Sequence, residues 1–288
     1  MTQDISKSVK IKLLRIAKKE RLDYQQVIIR YLYERLLYRL SVSNYREMFY
    51  LKGGALLYAF EKKFPRPTLD IDFLGVEIKN DAEHIKDVFK EICALPCKED
   101  GIDFDTSAIT TVEITENRVY LGIRVSFVAR LDTIRQVMKI DIGFGDVVIP
   151  KPLFITYPAL MDELPVATVF AYSLESVVAE KFQAMIEFSE VNSRYKDFYD
   201  VYKILKSQEF TNIALTAAIQ ATFQNRATFY HQSHPLFTNE FAVNEERNKH
   251  WIRFLKKIKQ DEALKFETVM SAIVSRLKPI YETLDGLA

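Results

Sequence analysis

Closely spaced β-type runs between two helical regions constrain the fold of this chain more than any other feature. Three runs rich in Val, Ile, Thr, Phe or Tyr follow one another at residues 108–114, 119–131 and 136–142, and such residues favour half-buried strands. Apolar residues at helical spacing precede these runs over residues 6–40 and follow them beyond residue 173. The pattern predicts an α+β fold that combines a mixed β-sheet domain with a helical bundle domain.

Prolines and helical runs divide the chain into three predicted segments. We expect residues 1–44 to form N-terminal helices that pack on the helical part, and residues 45–165 to form the α+β domain. Residues 166–288 are predicted to form the helical bundle. The boundary is a proline-rich crossing, since proline lacks a backbone donor and bars regular structure around it. Its prolines are Pro150, Pro152, Pro158 and Pro165.

Composition excludes several classes of protein. Hydrophobic residues make up 48% of the 288 residues, so the chain can bury a core and lacks the polar bias of a disordered protein. No stretch approaches the roughly 20 apolar residues that span a bilayer, and charges interrupt the place where a signal peptide has its apolar core. Cys93 and Cys97 are too few for a disulfide framework. We therefore expect a cytoplasmic protein without a membrane partner.

Three aspartates form the first candidate site. Asp70 and Asp72 lie at positions i and i+2 of a predicted strand, where side chains share one face. Two carboxylates so close repel unless a divalent cation neutralises them, and Mg²⁺ suits one or two carboxylates plus substrate phosphates. Asp141 interrupts an apolar run in another predicted strand, so it must be paired, protonated or facing a site. The alternatives are two acids at a turn and a water-facing aspartate at the sheet edge.

A glycine pair forms the second candidate site. Gly53 and Gly54 end a short apolar run at residues 48–51 and begin a helical stretch. Because glycine has no side chain, backbone N–H groups can approach a phosphate closely there, and the N-terminus of a helix attracts anions. The pair therefore predicts a phosphate-binding turn.

These motifs resemble those of a known family. Residues 51–58, LKGGALLY, and residues 66–72, RPTLDID, resemble the first motif of the AbiEii/AbiGii toxin family of nucleotidyltransferases, in the DNA polymerase β-like superfamily. Residues 139–146 resemble its third-carboxylate strand, and residues 173–181 and 194–200 resemble its closing helices. The matches follow the expected order over more than half of the chain. One departure is Gly54, where many relatives have serine.

The resemblance implies a Mg²⁺-dependent enzyme that transfers a nucleoside monophosphate from an NTP to an acceptor and releases pyrophosphate. The implied catalytic residues are Asp70, Asp72, Asp141, Lys181 and Asp197. The implied nucleotide-binding residues are Lys52, Gly53, Gly54, Arg66, Thr68 and Lys181. The implied Mg²⁺ ligands are Asp70, Asp72 and Asp141, with Asp141 near the acceptor hydroxyl.

The resemblance also implies partners. The acceptor would be RNA, at the 3′ end of a tRNA, and the protein would act as a toxin with a cognate antitoxin. The net charge is only +1, so RNA would have to bind to local basic clusters, such as those near both termini. Two alternatives remain: transfer to a protein or small molecule, and a non-catalytic nucleotide-binding module. Release of pyrophosphate from NTP distinguishes the enzyme from the binding module.

Overall fold

This computed structural model describes residues 2–61, 70–116, 120–189 and 193–285. Within these residues, eight strands form one mixed sheet. Its order is β3-β5-β6-β2-β1-β8-β7, and β4 also pairs with the long strand β5. The pairs β1–β8 and β2–β6 are parallel, whereas the others are antiparallel. The strands are β1 (Phe49–Lys52), β2 (Ile71–Gly75), β3 (Ile102–Phe104), β4 (Thr110–Glu116), β5 (Tyr120–Leu131), β6 (Ile134–Phe144), β7 (Leu153–Thr156) and β8 (Thr168–Ala171).

Helices of the N-terminal half belong to the same compact unit as the sheet, which comprises residues 1–145 and 153–171 and is called the sheet unit below. The helices are α1 (Thr2–Glu20), α2 (Tyr24–Ser41), α3 (Gly53–Glu61) and α4 (Ala82–Ala94). Asp23 caps α2 and Asp81 caps α4, each accepting a hydrogen bond from a backbone N–H of the first turn.

Alternation along the strands separates a buried face of the sheet from a more open one. Phe49 and Phe73 are buried on neighbouring strands, and the Phe49 ring contacts both Phe73 and Phe89 of α4 edge to face. Tyr50, which follows Phe49 on β1, and Asp72, which precedes Phe73 on β2, are only partly buried. Since successive side chains of a strand point to opposite faces, Tyr50 and Asp72 lie on the open face.

A second compact unit, the helical unit, comprises residues 146–152 and 172–288. Its helices are α5 (Leu174–Phe188), α6 (Tyr195–Ser207), α7 (Asn212–Asn225), α8 (Asn239–Val243), α9 (Glu245–Lys257) and α10 (Phe266–Glu282). Trp251 and Phe266 are fully buried, and their rings pack on each other and on Tyr195. Within the described residues, no helix combines the length and apolarity that crossing a membrane requires.

The structure confirms the predicted α+β class and corrects three details. The sequence predicts that the helices of residues 1–44 pack on the helical part, but α1 and α2 belong to the sheet unit, because their apolar faces cover sheet and α4 residues. The proline-rich crossing is not a loop alone: β7 and β8 pair there, since its prolines flank these strands without interrupting them. The last sheet residue is Ala171, not residue 165.

Candidate active site

Four charged residues form one row across the open face of the sheet. Lys52 is in register with Asp72, Asp72 with Asp141, and Asp141 with Arg124. Side chains in register on neighbouring strands point to the same side, and their backbones lie about 4.8 Å apart. Two adjacent carboxylates are thus flanked by a cation on each side. This charged row, Lys52–Asp72–Asp141–Arg124, brings together two of the three predicted acids.

Asp141 is held by Arg124, a residue that the sequence analysis did not identify. The guanidinium donates from Nε to Oδ1 and from Nη2 to Oδ2, both at 2.7 Å. This bidentate hydrogen bonding raises the pKa of Arg124, against the smaller effect of burial, and the charges of Asp70 and Asp72 act in the same direction. The sequence signal for this clamp is an arginine inside the apolar run of β5, which also contains Arg130.

The third acid, Asp70, lies directly before β2, two residues from Asp72, and is exposed. Asp70 acts electrostatically on Tyr33 of α2: burial, and next the negative charge of Asp70, raise the pKa of the Tyr33 phenol. The phenol donates a hydrogen bond to the Lys139 carbonyl oxygen at 3.3 Å. Tyr33 is therefore a second site residue that the sequence analysis missed, because its apolar helix pattern indicated only a core position.

The three predicted acids are candidate metal ligands. Within the ranges that the structure describes, no group of three or more His, Cys, Asp or Glu side chains is arranged to hold a metal ion. Both oxygens of Asp141 accept hydrogen bonds from Arg124. Asp70 and Asp72 carry carboxylates, whose oxygens are the hard donors that Mg²⁺ prefers. The donor set fits Mg²⁺ held by this pair together with substrate phosphates.

Gly53 joins the predicted phosphate-binding turn to the charged row. It is the first residue of α3, and its φ of +68° is one that other residues rarely adopt. A Cβ built on Gly53 would overlap Oδ2 of Asp72. The glycine is therefore required twice, by its backbone conformation and by the carboxylate packed against it. Gly54 is buried in the first turn of the same helix.

Lys181 and Asp197, the two remaining predicted residues that the structure describes, lie in the helical unit and bind each other. Lys181 of α5 donates to Asp197 at 2.6 Å and to Asp200 at 2.9 Å, and both carboxylates belong to α6. Arg194 also donates to Asp197, at 2.8 Å. Burial tends to raise the pKa of Asp197, but the charges of Lys181 and Arg194 outweigh it, so the pKa is lowered.

The Asp197 ion pairs predict a measurable pH dependence of stability. Asp197→Asn should lower the free energy of unfolding at pH 7 by about 2 kcal/mol, because a charged hydrogen bond at a side chain only 1% exposed is lost while Lys181 keeps Asp200. A lowered pKa means that this stabilisation is complete above the ordinary value of 3.8 and is lost as the pH falls through the folded-state pKa. Denaturant unfolding from pH 7 to pH 3 measures the difference between the two proteins.

The matched control for this measurement is Asp87→Asn. Asp87 makes a similar ion pair with Lys90, but on the surface of α4. Its loss should leave the stability unchanged. A difference between wild type and Asp197→Asn that stays constant down to pH 3 would show that the ionised carboxylate of Asp197 does not stabilise the fold.

Two further predicted positions, Arg66 and Thr68, lie outside the residues that the structure describes.

A second ionic cluster in the helical unit could not be recognised from the sequence. Arg226 binds Asp146 at 2.8 Å and Glu180 at 3.3 Å. Burial lowers the pKa of Arg226, but these two acids outweigh burial and raise it. Asp146 thus ties the start of the helical unit to α7.

Comparison with known proteins supplies the family. The model of the family described as nucleotidyl transferase AbiEii toxin, Type IV TA system, matches residues 35–272. This chain belongs to the AbiEii family of nucleotidyltransferase toxins. The matched region contains the charged row, the glycine turn and the Lys181–Asp197 pair. No curated protein matches the chain.

Two solved structures were also matched. A candidate nucleotidyltransferase from H. pylori has 14% identity and a TM-score of 0.49, and the match covers 93% of this chain and 99% of that one. JHP933 from Helicobacter pylori has the same identity and TM-score, with 92% and 96% covered.

Proposed function

We propose that this chain transfers a nucleoside monophosphate from an NTP to the 3′ end of a tRNA and acts as the toxin of a toxin–antitoxin pair. The observation that supports this most is the charged row beside the glycine turn, in a chain of the AbiEii family. Phosphoryl transfer depends mainly on positioning and on neutralisation of charge. Acids, cations and a phosphate-binding turn are the groups that this chemistry needs.

The triphosphate is assigned to the turn at Gly53 and Gly54. The first backbone N–H groups of α3 have no partner within the helix, and the helix dipole favours negative charge there. Lys52 precedes the turn and is in register with Asp72, so its cation can meet a phosphate held at the helix end. Arg66 and Thr68 are retained in the nucleotide-binding set on the resemblance alone.

Mg²⁺ is the proposed cofactor, with Asp70 and Asp72 as its protein ligands. When bound, it supplies neutralisation of phosphate charge and activation of the attacking hydroxyl. Asp141 is the third proposed acid, near the acceptor hydroxyl, and Arg124 fixes the orientation of its carboxylate. The positive charge of Arg124 offsets part of the repulsion between the Asp141 and Asp72 carboxylates.

The tRNA acceptor and the antitoxin come to this chain from its family. Part of the basic N-terminal surface is already engaged: Lys10 binds Asp132 at 2.8 Å and Lys12 binds Glu163 at 2.7 Å. These two lysines therefore already have carboxylate partners, and fewer cations remain there for RNA. The description of the family as part of a Type IV toxin–antitoxin system supports a cognate antitoxin.

The experiment that tests the function uses the purified chain with radiolabelled NTPs, Mg²⁺ and total RNA. Label on RNA of tRNA size supports the proposal. Label on protein or on small molecules only would favour the alternative acceptors. Binding of NTP without release of pyrophosphate would identify a non-catalytic module.

The role proposed for Lys181 makes a separate prediction. If its ammonium contacts the triphosphate, Lys181→Ala should weaken NTP binding about tenfold, because a charge-assisted contact is lost. Calorimetric titration with NTP measures the affinity, at a temperature where denaturant curves show both proteins folded. That check is needed because the variant leaves the buried Asp197 and Asp200 without this cation.

Lys249→Ala is the control. Lys249 lies on α9 with 54% of its side chain exposed, and it pairs with Glu246, one turn earlier on the same helix. Unchanged NTP affinity in folded Lys181→Ala would restrict Lys181 to the structural ion pairs.

A further inference from the structure

An aromatic row lies on the open face of the sheet next to the charged row. Tyr50 of β1, Phe170 of β8 and Phe154 of β7 follow one another across three neighbouring strands. The Tyr50 and Phe170 ring centroids are 5.6 Å apart, and those of Phe170 and Phe154 are 5.0 Å apart. We call Tyr50–Phe170–Phe154 the aromatic row. Phe154, on the edge strand, has 55% of its surface exposed.

The aromatic row and the charged row share one face. Tyr50 and Lys52 are two residues apart on β1, so their side chains point to the same side and their backbones are about 7 Å apart. The rings of the aromatic row therefore lie on the same face of the sheet as Asp72 and Asp141. A molecule that reaches the charged row across β1 passes over the aromatic row.

Both positive and negative side chains lie near the aromatic row. The Arg46 guanidinium carbon lies 5.6 Å from the centre of the Phe154 ring, and the Arg46 side chain is 40% exposed. Glu47 pairs with Arg46 at 3.4 Å and its side chain is 72% exposed, and burial, followed by the charges of Glu77 and Glu47, raises the pKa of Tyr50. An exposed ion pair of this kind contributes little to stability, so a phosphate can take the place of Glu47 at Arg46 while the neutral bases lie over the rings.

We propose that the aromatic row binds unpaired bases of a single-stranded RNA by stacking, with Arg46 at a phosphate. Exposed aromatic rings on adjacent strands together with a nearby arginine are the combination by which proteins bind single-stranded nucleic acid without reading its sequence. This inference rests on the proposed function in one respect, namely that the RNA is the acceptor whose end reaches the charged row. It adds the surface on which that acceptor lies.

Direct binding tests the proposal without NTP or Mg²⁺. Fluorescence anisotropy compares a labelled eight-nucleotide oligoadenosine with an abasic ribose-phosphate oligomer of equal length. Wild type should bind the base-bearing probe at least about tenfold more tightly than the abasic probe, and Phe154→Ala should weaken only the base-bearing probe, by about tenfold. Phe154→Leu, which keeps an apolar side chain, should weaken it similarly. Arg46→Ala should lower the salt slope by about 0.7.

Phe229→Ala is the matched control. Phe229 is also an exposed phenylalanine, with 65% of its surface accessible, but it belongs to the helical unit. Its loss should leave both affinities unchanged. Equal binding of the two probes by wild type, or unchanged binding by Phe154→Ala, would overturn the proposal. Self-association that Phe154→Ala abolishes, without base-dependent binding, would also overturn it, because the row would then be a protein interface.

Failure of this inference is distinguishable from failure of the proposed function. If Phe154→Ala labels RNA with an unchanged KM for RNA and binds the probe like wild type, the stacking surface is refuted and the transfer activity stands. If the probe binds through Phe154 but RNA is never labelled, the stacking surface stands and the tRNA acceptor is refuted.

Discussion

Replacing Asp70 and Asp72 together by asparagine should lower the rate of nucleotide transfer by at least about 10³-fold. Asparagine keeps the size of each side chain but removes the negative charge that holds Mg²⁺, and a bound metal contributes several kcal/mol to stabilisation of the transition state. The fold should survive, because Asp70 is exposed and Asp72 is only partly buried. Steady-state release of pyrophosphate with NTP, Mg²⁺ and RNA measures the loss.

The control for this variant is Asp103→Asn. Asp103 lies on β3 of the same sheet and pairs with Arg130, and its side chain is 72% exposed. Its replacement should leave both turnover and the unfolding midpoint unchanged. Wild-type turnover in the doubly substituted, folded protein would show that the reaction does not take place at these acids.

The long helices and strands could be predicted from the sequence because each carries its own period. Apolar residues at helical spacing predicted α2 and α5, and the long β-type runs predicted β5 and β6. The short strands β3, β7 and β8 could not be predicted, since three or four residues show no period and form a strand only through partners distant in sequence. The amphipathic pattern of α1 likewise identifies its buried face but not the surface that this face covers.

The candidate site was predictable in its acids but not in its surroundings. Alternation in a strand is local, so the sequence alone could place Asp70 and Asp72 on one face. The alignment of Asp72 with Asp141 depends on the β2–β6 register, which is set by chain pairing across some 70 residues of sequence. For the same reason, Arg124 could not be recognised as the partner of Asp141. The spacing of residues in α5 likewise cannot distinguish a Lys181 that binds a phosphate from one that binds only Asp197 and Asp200.

Gly53→Ala should lower nucleotide transfer by about 10²-fold or more while costing only modest stability. Two effects combine at this position. A residue with a Cβ at a φ of +68° is strained by about 1 kcal/mol, and the added methyl group would overlap Oδ2 of Asp72. The carboxylate must then move away, and a displacement on the order of 1 Å in an active site can cost about 10²-fold in rate. Pyrophosphate release and denaturant unfolding measure the two effects separately.

Gly145→Ala separates the strain from the displacement of Asp72. Gly145 has a φ of +84°, but a Cβ built there would have no atom within 4 Å, so this variant carries the backbone strain alone. Both variants should lose a similar free energy of unfolding, about 1 kcal/mol, whereas only Gly53→Ala should lose activity. If both alanine variants were equally active, the Asp72 carboxylate would not need its place against Gly53, and the glycine would serve only the backbone turn into α3.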